Sequence, residues 1–185
     1  MRAIHFKEAE GASELWQIHA LNHRVFAEEI AQHHKQSSGV LIDRFHAQNR
    51  YFVAVQNKVV IGMVSVHDGP EFSITKRLPD PTQLRNFPLP LEVRLLAIAQ
   101  EKRKRTVLAG LLWQVYRYAV SNGHSHLLIS GISEREPMYR KMGFSALGPA
   151  VPEGKAAFIP MAMPISGPFP ESNRRRLRLH ERHWS

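Results

Sequence analysis

The chain has 185 residues and carries 25 Lys and Arg against 16 Asp and Glu, which gives a net charge of +9. This length fits one ordinary domain with a buried core, and a composition of 43% hydrophobic and 22% charged residues excludes a disordered or fibrous chain. The absence of Cys excludes disulfides, thiolate metal sites and a cysteine nucleophile.

Hydropathy and charge indicate a cytoplasmic protein with one domain. No apolar run approaches the roughly 18 residues that a membrane span needs, and the first six residues lack the apolar core of a secretory signal. We expect a single domain over residues 1–165 and a basic, poorly ordered tail over 166–185, where five Arg stand against two Glu. A second basic cluster, Lys102–Arg105, lies in mid-chain and would attract phosphates, nucleic acid or an acidic partner protein.

The first half of the chain predicts a strand, a helix and a hairpin. Residues 2–6 are suited to a short strand, and the apolar spacing over 12–32 predicts a helix with Ser13 as a cap. The β-branched and aromatic runs at 51–55 and 59–66 are separated by three polar residues, which predicts a hairpin. Residues 68–90 are rich in Pro and have no period, so we expect a long irregular loop there.

The second half predicts strands that alternate with helices. Residues 91–99 form an apolar run that Glu92 and Arg94 interrupt two residues apart, so both project from one face of a strand. The helical spacing over 107–120 stops at Asn122-Gly123. A buried strand at 127–130, a short helix between Pro137 and Gly143, and a last strand at 156–163 follow. This order predicts an α/β fold, with a mixed sheet covered by helices on both faces.

The strand, basic turn and helix between Leu95 and Leu112 form the most informative unit. The unpaired amides that begin the helix, together with Arg103 and Arg105, would converge on one point and could bind a phosphate or pyrophosphate. The alternative is an ordinary strand-to-helix connection with solvated charges. The residues alone leave both readings open.

Two segments resemble the GCN5-related (GNAT) N-acyltransferases: residues 96–108 resemble their cofactor-binding stretch, and Tyr139–Phe144 resembles their Tyr-x-x-x-Gly-Phe segment. The resemblance implies a GNAT fold, a mostly antiparallel twisted sheet of six to seven strands. It also implies a thioester donor, acyl-CoA or acyl carrier protein, without a metal. Its pantetheine arm would follow the strand at 96–99, and its pyrophosphate would lie on the turn at 103–108. The implied donor-binding residues are Ile98, Ala99, Arg103, Lys104, Arg105, Thr106, Val107 and Leu108.

The turn departs from the family pattern. The family usually has Arg-Gly-x-Gly-x-Gly or Ala there, whereas this chain reads Arg103-Lys104-Arg105-Thr106-Val107-Leu108. Glycines let backbone amides approach phosphates closely. Either the additional cations compensate for them, or the donor differs from coenzyme A.

The N-terminal half resembles a narrower group. Residues 24–26, 43–45 and 92–94 are similar to positions in acyl-homoserine-lactone synthases and long-chain N-acyl amino acid synthases, which can take acyl groups from acyl carrier protein. GNAT domains found beside class V aminotransferases share patterns met here at Glu28–His33, Asp43–Asn49 and Glu92–Ala97. The resemblance covers residues 15–163.

Catalytic and substrate-binding roles follow from these segments. Glu92, facing a cleft, is the candidate base, with a structural ion pair to Arg94 or Arg24 as the alternative. Tyr139 matches the family's tyrosine that protonates the thiolate; alternatively its ring caps the core. The amide of Ile98 or Ala99 would polarise the thioester carbonyl. The candidates for holding the acceptor, especially one with a carboxylate, are Arg24, His67 and Arg94, although His67 also fits a plain strand end. Phe26 is a further candidate for substrate binding.

These residues favour an N-acyltransferase that moves an acyl group from a thioester to a small amine, such as an amino acid. The first alternative is a GNAT-fold domain without turnover that binds a ligand and regulates a partner. The second is nucleic-acid binding through Arg174–Arg178, which we disfavour because the Trp residues lie outside the basic runs. No His pair has a third ligand at metal spacing, so we expect no metal. A homodimer is left open.

Overall fold

The structure, a computed structural model, describes residues 3–154 and 156–165, which form one eight-stranded sheet with helices on both faces. The tail predicted over 166–185, with Arg174–Arg178, lies outside the described residues. The strands are β1 (His5–Glu8), β2 (Arg50–Gln56), β3 (Val59–His67), β4 (Pro90–Ile98), β5 (His126–Ile132), β6 (Ser145–Ala146), β7 (Val151–Glu153) and β8 (Ala156–Pro164). The α-helices are α1 (Gly11–Asn22), α2 (Arg105–Ser121) and α3 (Glu136–Met142), and a π-helix (His23–Glu29) continues α1.

The sheet order is β1-β2-β3-β4-β5-β8-β6, and β7 pairs with β8. Only β4 and β5 are parallel neighbours among the described strands. This arrangement confirms the predicted mixed, mostly antiparallel sheet. The sheet has one or two more strands than predicted, because β6 and β7 span two and three residues and are too short to show an alternating pattern.

The N-terminal predictions hold with shifts at the ends of the elements. The first strand lies at His5–Glu8 rather than at residues 2–6, and the predicted helix over 12–32 is α1 followed by the π-helix. The prediction that Ser13 caps this helix is wrong. Glu10 is the N-cap residue, and its amide donates a hydrogen bond to Glu14 Oε2 at 2.7 Å. The Glu14 carboxylate thus binds the amide of the N-cap residue, and the N-cap side chain forms no capping hydrogen bond.

The predicted hairpin and the later elements are confirmed. Asn57 and Lys58 connect β2 and β3 with φ values of 53° and 63°, the two positive values that a type I′ turn requires. Helix α3 ends at Gly143, where φ is 105°.

The core lies in two layers, one on each face of the sheet. On one face α2 places Val107, Leu111 and Val115 against apolar side chains of β2, β3, β4 and β5. On the other face α1 places Ile18 and Leu21 against β2, β3 and β4. We call these the α2 face and the α1 face.

A β-bulge interrupts β4 in the middle of the sheet. Met63 of β3 is paired with Ala97, but Ser65 is paired with Arg94, so two β4 residues oppose one β3 residue. Leu95 within the bulge has a φ of +48°. The extra residue bends the strand where it passes the centre of the molecule.

The segment between β3 and β4 is more ordered than the predicted irregular loop. It contains two 3₁₀ turns, Ser73–Arg77 and Pro81–Asn86, and Ile74 is fully buried. The Glu92 carboxylate anchors the first turn. It accepts hydrogen bonds from the Ser73 amide, the Ser73 hydroxyl and the Ile74 amide at 2.7–2.8 Å, and it contacts His67 Nε2 at 2.7 Å.

Burial opposes ionisation of Glu92, but the hydrogen bonds from His67 and Ser73, together with the Arg94 charge, outweigh it and hold the pKa of this carboxyl below its usual range. The ionised carboxylate therefore contributes stability above its ordinary pKa of about 4.5, and that contribution is lost as the pH falls through the lower folded value.

We expect Glu92→Gln to lower the free energy of unfolding at pH 7 by about 1–3 kcal/mol, because it removes a charged acceptor from buried donors. The difference from wild type should shrink below pH 4.5. Urea unfolding between pH 3.5 and 7 measures it, with the exposed Glu101→Gln as control. A pH-independent difference would contradict the anchoring role.

Candidate active site

Strands β4 and β5 pair over three residues and then part. Pro90, Leu91 and Glu92 are paired with the segment 126–128 of β5, yet β4 continues to Ile98 and β5 to Ile132. Within the described part of the chain, no strand is paired with the β5-facing edge of residues 93–98. The sheet therefore opens next to the basic turn between β4 and α2.

The ladder between β3 and β4 decides which amides face this opening. The Ala99 amide donates to the Ile61 carbonyl at 3.0 Å, so it points toward β3 and is not available in the gap. Gly62 and Ile98 are opposite each other between such bonds, so the amide and carbonyl of Ile98 both point to the open edge. Of the two amides predicted to bind the donor, the geometry leaves Ile98.

The basic turn leads into the N-terminus of α2, as the sequence predicted. Lys104 is the N-cap residue, and the amides of Val107 and Leu108 donate to its carbonyl at 3.1 and 3.3 Å. The amides of Arg105 and Thr106 precede these and have no carbonyl partner within the helix. The Val107 side chain is buried in the core of the α2 face, and it also borders the surface cavity next to the turn.

The cations of this turn are not equivalent. Arg103 donates from Nε to the Ile98 carbonyl at 3.1 Å and forms an ion pair with Glu29 at the end of the π-helix. Lys104 and Arg105 are exposed, and no described carboxylate pairs with them. A surface cavity of about 390 Å³ adjoins the turn and is lined by residues that include Lys102, Lys104 and Thr106.

Tyr139 packs against β5 in the region where the strands have parted. A Cβ on residue 131 would lie 2.4 Å from its ring, so Gly131 is the residue that admits the ring. Burial raises the pKa of the Tyr139 phenol above its usual value, although a hydrogen bond with the Ile132 backbone opposes this. The phenol is therefore protonated at neutral pH and can donate a proton.

Glu92 does not face a cleft as predicted. Its side chain is fully buried, and its partner is His67 rather than Arg94 or Arg24. The His67 ring packs edge-on against Phe45 and Phe72, with ring centroids 5.0 and 5.5 Å away. Its Nδ1 is buried and has no hydrogen-bond partner among the described residues. The His67 ring is thus bound to the Glu92 carboxylate through Nε2, while its Nδ1 has no described partner.

Arg94 lies on the α1 face and forms a bidentate ion pair with Asp43, with N–O distances of 2.9 and 3.0 Å. Its guanidinium also lies 4.4 Å from the centroid of the Phe45 ring. Asn49 donates to the same carboxylate at 2.7 Å. Arg94 is therefore already paired, and a carboxylate-bearing acceptor would have to compete with Asp43 for it.

The remaining predicted residues lie on the π-helix. Arg24 is exposed, while Phe26 is half-buried against the apolar core of the α1 face. The structure records no contact that brings either residue to the Glu92–His67 pair among the described residues.

The sequence analysis missed several polar residues on the α1 face. Ser73 falls in the predicted irregular loop and Asp43 in a segment that only the family resemblance marks, although each binds a charged side chain of β4. Buried atoms without a described partner also lie on this face, on His19, Asn22 and Ser65. A polar residue in a segment without periodicity gives no sequence signal of its burial.

Residues 3–154 and 156–165 contain neither a candidate metal site nor a helix suited to span a membrane. These residues contain no group of three His, Asp or Glu side chains that could hold a metal ion. They also contain no helix with both the length and the apolar character of a membrane span.

Comparison with known proteins gives one family and several structural neighbours. The family model described as FeeM, N-acyl amino acid synthase, matches residues 17–163. A search of curated proteins finds no significant match.

Three solved structures illustrate the structural similarity. The CoA-dependent acyl-homoserine lactone synthase BjaI, with SAM and isopentyl-CoA, is 17% identical over 94% of this chain and 88% of its own, with a TM-score of 0.76. FeeM from uncultured soil microbes is 19% identical over 88% and 91%, with a TM-score of 0.68. Escherichia coli ElaA is 13% identical over 85% and 98%, with a TM-score of 0.62.

At these identities the structural neighbours show the fold alone. The family model, however, spans well over half of the chain. The chain therefore belongs to the FeeM family of N-acyl amino acid synthases, an acyltransferase family of the GNAT-like type.

Proposed function

We propose that this protein transfers an acyl group from a thioester, acyl-CoA or acylated carrier protein, to the amine of an amino acid by direct attack. The observation that carries the proposal is the open edge of β4 beside the basic N-terminus of α2. An extended pantetheine arm needs such an edge, and its phosphates need such a turn. The family match supports the same reaction class.

The donor would bind with its phosphates at the basic turn and its acyl group toward the middle of β4. The amides of Arg105 and Thr106 and the exposed side chains of Lys104 and Arg105 would hold its phosphates. The cavity beside the turn would take the remainder of a nucleotide. Because the charged side chains extend beyond the backbone, they can contact phosphates that cannot approach as closely as in a glycine-rich turn.

The pantetheine arm would follow β4 from Ile98 toward Arg94. A strand rises about 3.3 Å per residue, so Ile98 lies on the order of 15–20 Å from Glu92 and cannot serve the same carbonyl. We therefore assign the Ile98 amide to the arm rather than to the thioester. The thioester would lie at the bulge, Leu95–Leu96, which is level with Gly131 and Tyr139 in the parallel register.

In the reaction the amine nitrogen attacks the thioester carbonyl, the C–N bond forms and the C–S bond breaks. Tyr139 would give its proton to the departing thiolate and would be reprotonated by the proton that the attacking nitrogen loses as the amide forms. The ammonium group of the acceptor must first lose a proton. His67 Nδ1 is the unused acceptor on the α1 face, and Glu92 holds the ring through Nε2, so we assign the base to this pair, acting through water because roughly 10 Å of β4 separates Glu92 from the bulge. Glu92 then acts as a positioning residue.

Removing the turn cations should weaken donor binding. We expect Arg103→Ala with Arg105→Ala to raise the Kd for acyl-CoA several-fold, about three- to tenfold, through lost charge-assisted contacts to phosphate. Arg105→Ala alone should account for most of this, because Arg103 is already paired with Glu29. Calorimetry measures the Kd, and Arg117→Ala, which removes an exposed charge farther along α2, is the matched control. Unchanged affinity in the double variant would place the pyrophosphate elsewhere.

Tyr139→Phe removes the proposed acid but keeps the ring against Gly131. We expect kcat to fall by about 100-fold or more with little change in the donor Kd, since general acids typically contribute this much. A thiol-release assay over several acyl donors and amino acids measures it, with Tyr118→Phe on α2 as control. Equal kcat in both variants would remove Tyr139 from the chemistry.

His67→Gln should lower kcat and abolish the acidic limb of its pH profile, because that limb reports protonation of the proposed base. Glu92→Gln should lower kcat with little change in the donor Kd, since the ring loses the carboxylate that positions it through Nε2. Thermal unfolding of each variant checks the fold. An acidic limb that persists in His67→Gln would assign the base elsewhere. A folded wild-type chain that releases no thiol with any donor would instead favour a GNAT-fold binding domain without turnover.

A further inference from the structure

Arg77 is a buried cation that none of the roles above uses. It ends the first 3₁₀ turn between β3 and β4, and only 6% of its surface is exposed. Its Nη1 donates to Ser130 Oγ at 3.3 Å, and its Nη2 forms an ion pair with Glu153 of β7. Its Nε is buried without a partner among the described residues. A buried guanidinium with an unused donor is costly unless a ligand completes it.

The charges of Lys76, Arg77 and Glu153, which form one cluster, do not cancel. Lys76 also binds Glu153, at 2.9 Å, so two cations share one carboxylate. The hydrogen bonds and charges of both cations hold the pKa of Glu153 below its usual range despite its partial burial, which keeps it ionised at neutral pH. The cluster therefore carries a net charge of +1, which one additional carboxylate would neutralise.

Ser130 places this cluster at the opening of the sheet. It lies two residues beyond Leu128, the last β5 residue paired with β4. If the parallel register is extended past its last pair, Ser130 comes level with Arg94, and Gly131, where Tyr139 packs, comes level with the bulge. Leu128 packs against Ile74 of the same 3₁₀ turn as Arg77, so Ser130, which shares its face, also points toward this turn. Ser130 therefore borders the gap at the level where the thioester is proposed to lie, and the Arg77 guanidinium contacts Ser130 from the β8 side, where it lies 4.9 Å from the centroid of the Phe158 ring.

We propose that Arg77, with Ser130, forms the subsite for the carboxylate of the acceptor amino acid. The carboxylate and the amine of an α-amino acid share one carbon. A carboxylate held at Arg77 and Ser130 therefore places the amine beside the bulge and within the gap. Arg94 is less suited to this role because Asp43 already binds it bidentately. The inference rests on the proposed function and names the group that selects the acceptor.

The test compares each of the twenty amino acids with its own carboxamide in the thiol-release assay and by calorimetry. Arg77→Met should raise the KM and Kd for the preferred amino acid about tenfold or more, because it removes a charge-assisted contact. The values for the carboxamide should change by less than about twofold, because it does not use that contact. Arg77→Lys should recover part of the affinity, since it restores the charge but not the planar fork.

Lys76→Met is the matched control, because it removes the same charge from Glu153 but lies one residue away and is half-exposed. It should reduce the preference for carboxylate over carboxamide by less than about twofold, because it removes a half-exposed charge from the cluster but no contact with the carboxylate. Glu153 keeps Lys76 as a partner in Arg77→Met, so we expect this variant to fold, and thermal unfolding and the donor Kd check it.

The outcomes separate the two proposals. A wild-type protein that releases no thiol with any acceptor contradicts the proposed reaction. One that turns over amino acids and their carboxamides equally keeps the reaction and overturns the subsite. Calorimetry that detects no binding of any amino acid also overturns the subsite, whatever the assay shows. A loss in Arg77→Met that Lys76→Met reproduces would assign the effect to general charge and overturn it as well.

Discussion

Parallel hydrogen bonding between β4 and β5 ends at Glu92 and Leu128, and the candidate site depends on this ending. A continued ladder would occupy the amide and carbonyl of Ile98 and would close the sheet between Arg94 and Ser130. Instead, one edge of β4 stays open over its second half, and the basic N-terminus of α2 follows directly. A fold with one interrupted pairing can thus hold an extended ligand without a deep pocket.

The α1 face combines satisfied charges with a few unused polar atoms. Glu92 and Arg94 have partners on nearly every side, so they hold the segment between β3 and β4 and the Asp43 loop in place. Unpartnered buried atoms among the described residues include His67 Nδ1 and Arg77 Nε. Ion pairs whose hydrogen bonds are complete fix the position of neighbouring side chains that still have a free hydrogen-bonding atom. A site arranged in this way is preorganised.

Local pattern predicted the elements that are stabilised locally. The hairpin, α2 and the end of α3 follow from turn residues and helical spacing that lie within a few positions of each other. The partners of the charged residues could not be predicted, since Asp43 lies 51 positions from Arg94 and Glu29 lies 74 positions from Arg103. Asp43 belongs to a segment without periodicity, whose path is set by tertiary contacts, and the helical spacing around Glu29 does not indicate which distant residue it binds.

The ion pair of Arg77 could not be predicted from the sequence either. It stands in a Pro-rich stretch that reads as an exposed loop, and its ion-pair partner Glu153 is 76 positions away on a strand of three residues. Neither the loop nor the strand has a pattern that indicates burial. The basic turn at 103–105, by contrast, stands between a strong strand and a strong helix, so its location at the edge of the sheet was predictable.

The bulge at Leu95 changes which residues of β4 serve each layer of the protein. Before it, the even-numbered Glu92 and Arg94 make the polar contacts of the α1 face; after it, the odd-numbered Ala97 packs there and Ile98 joins the opposite core. A strand of strict alternation would carry a single parity along its whole length. A single inserted residue therefore lets one continuous strand present charged groups to one layer at its start and apolar groups to the same layer at its end.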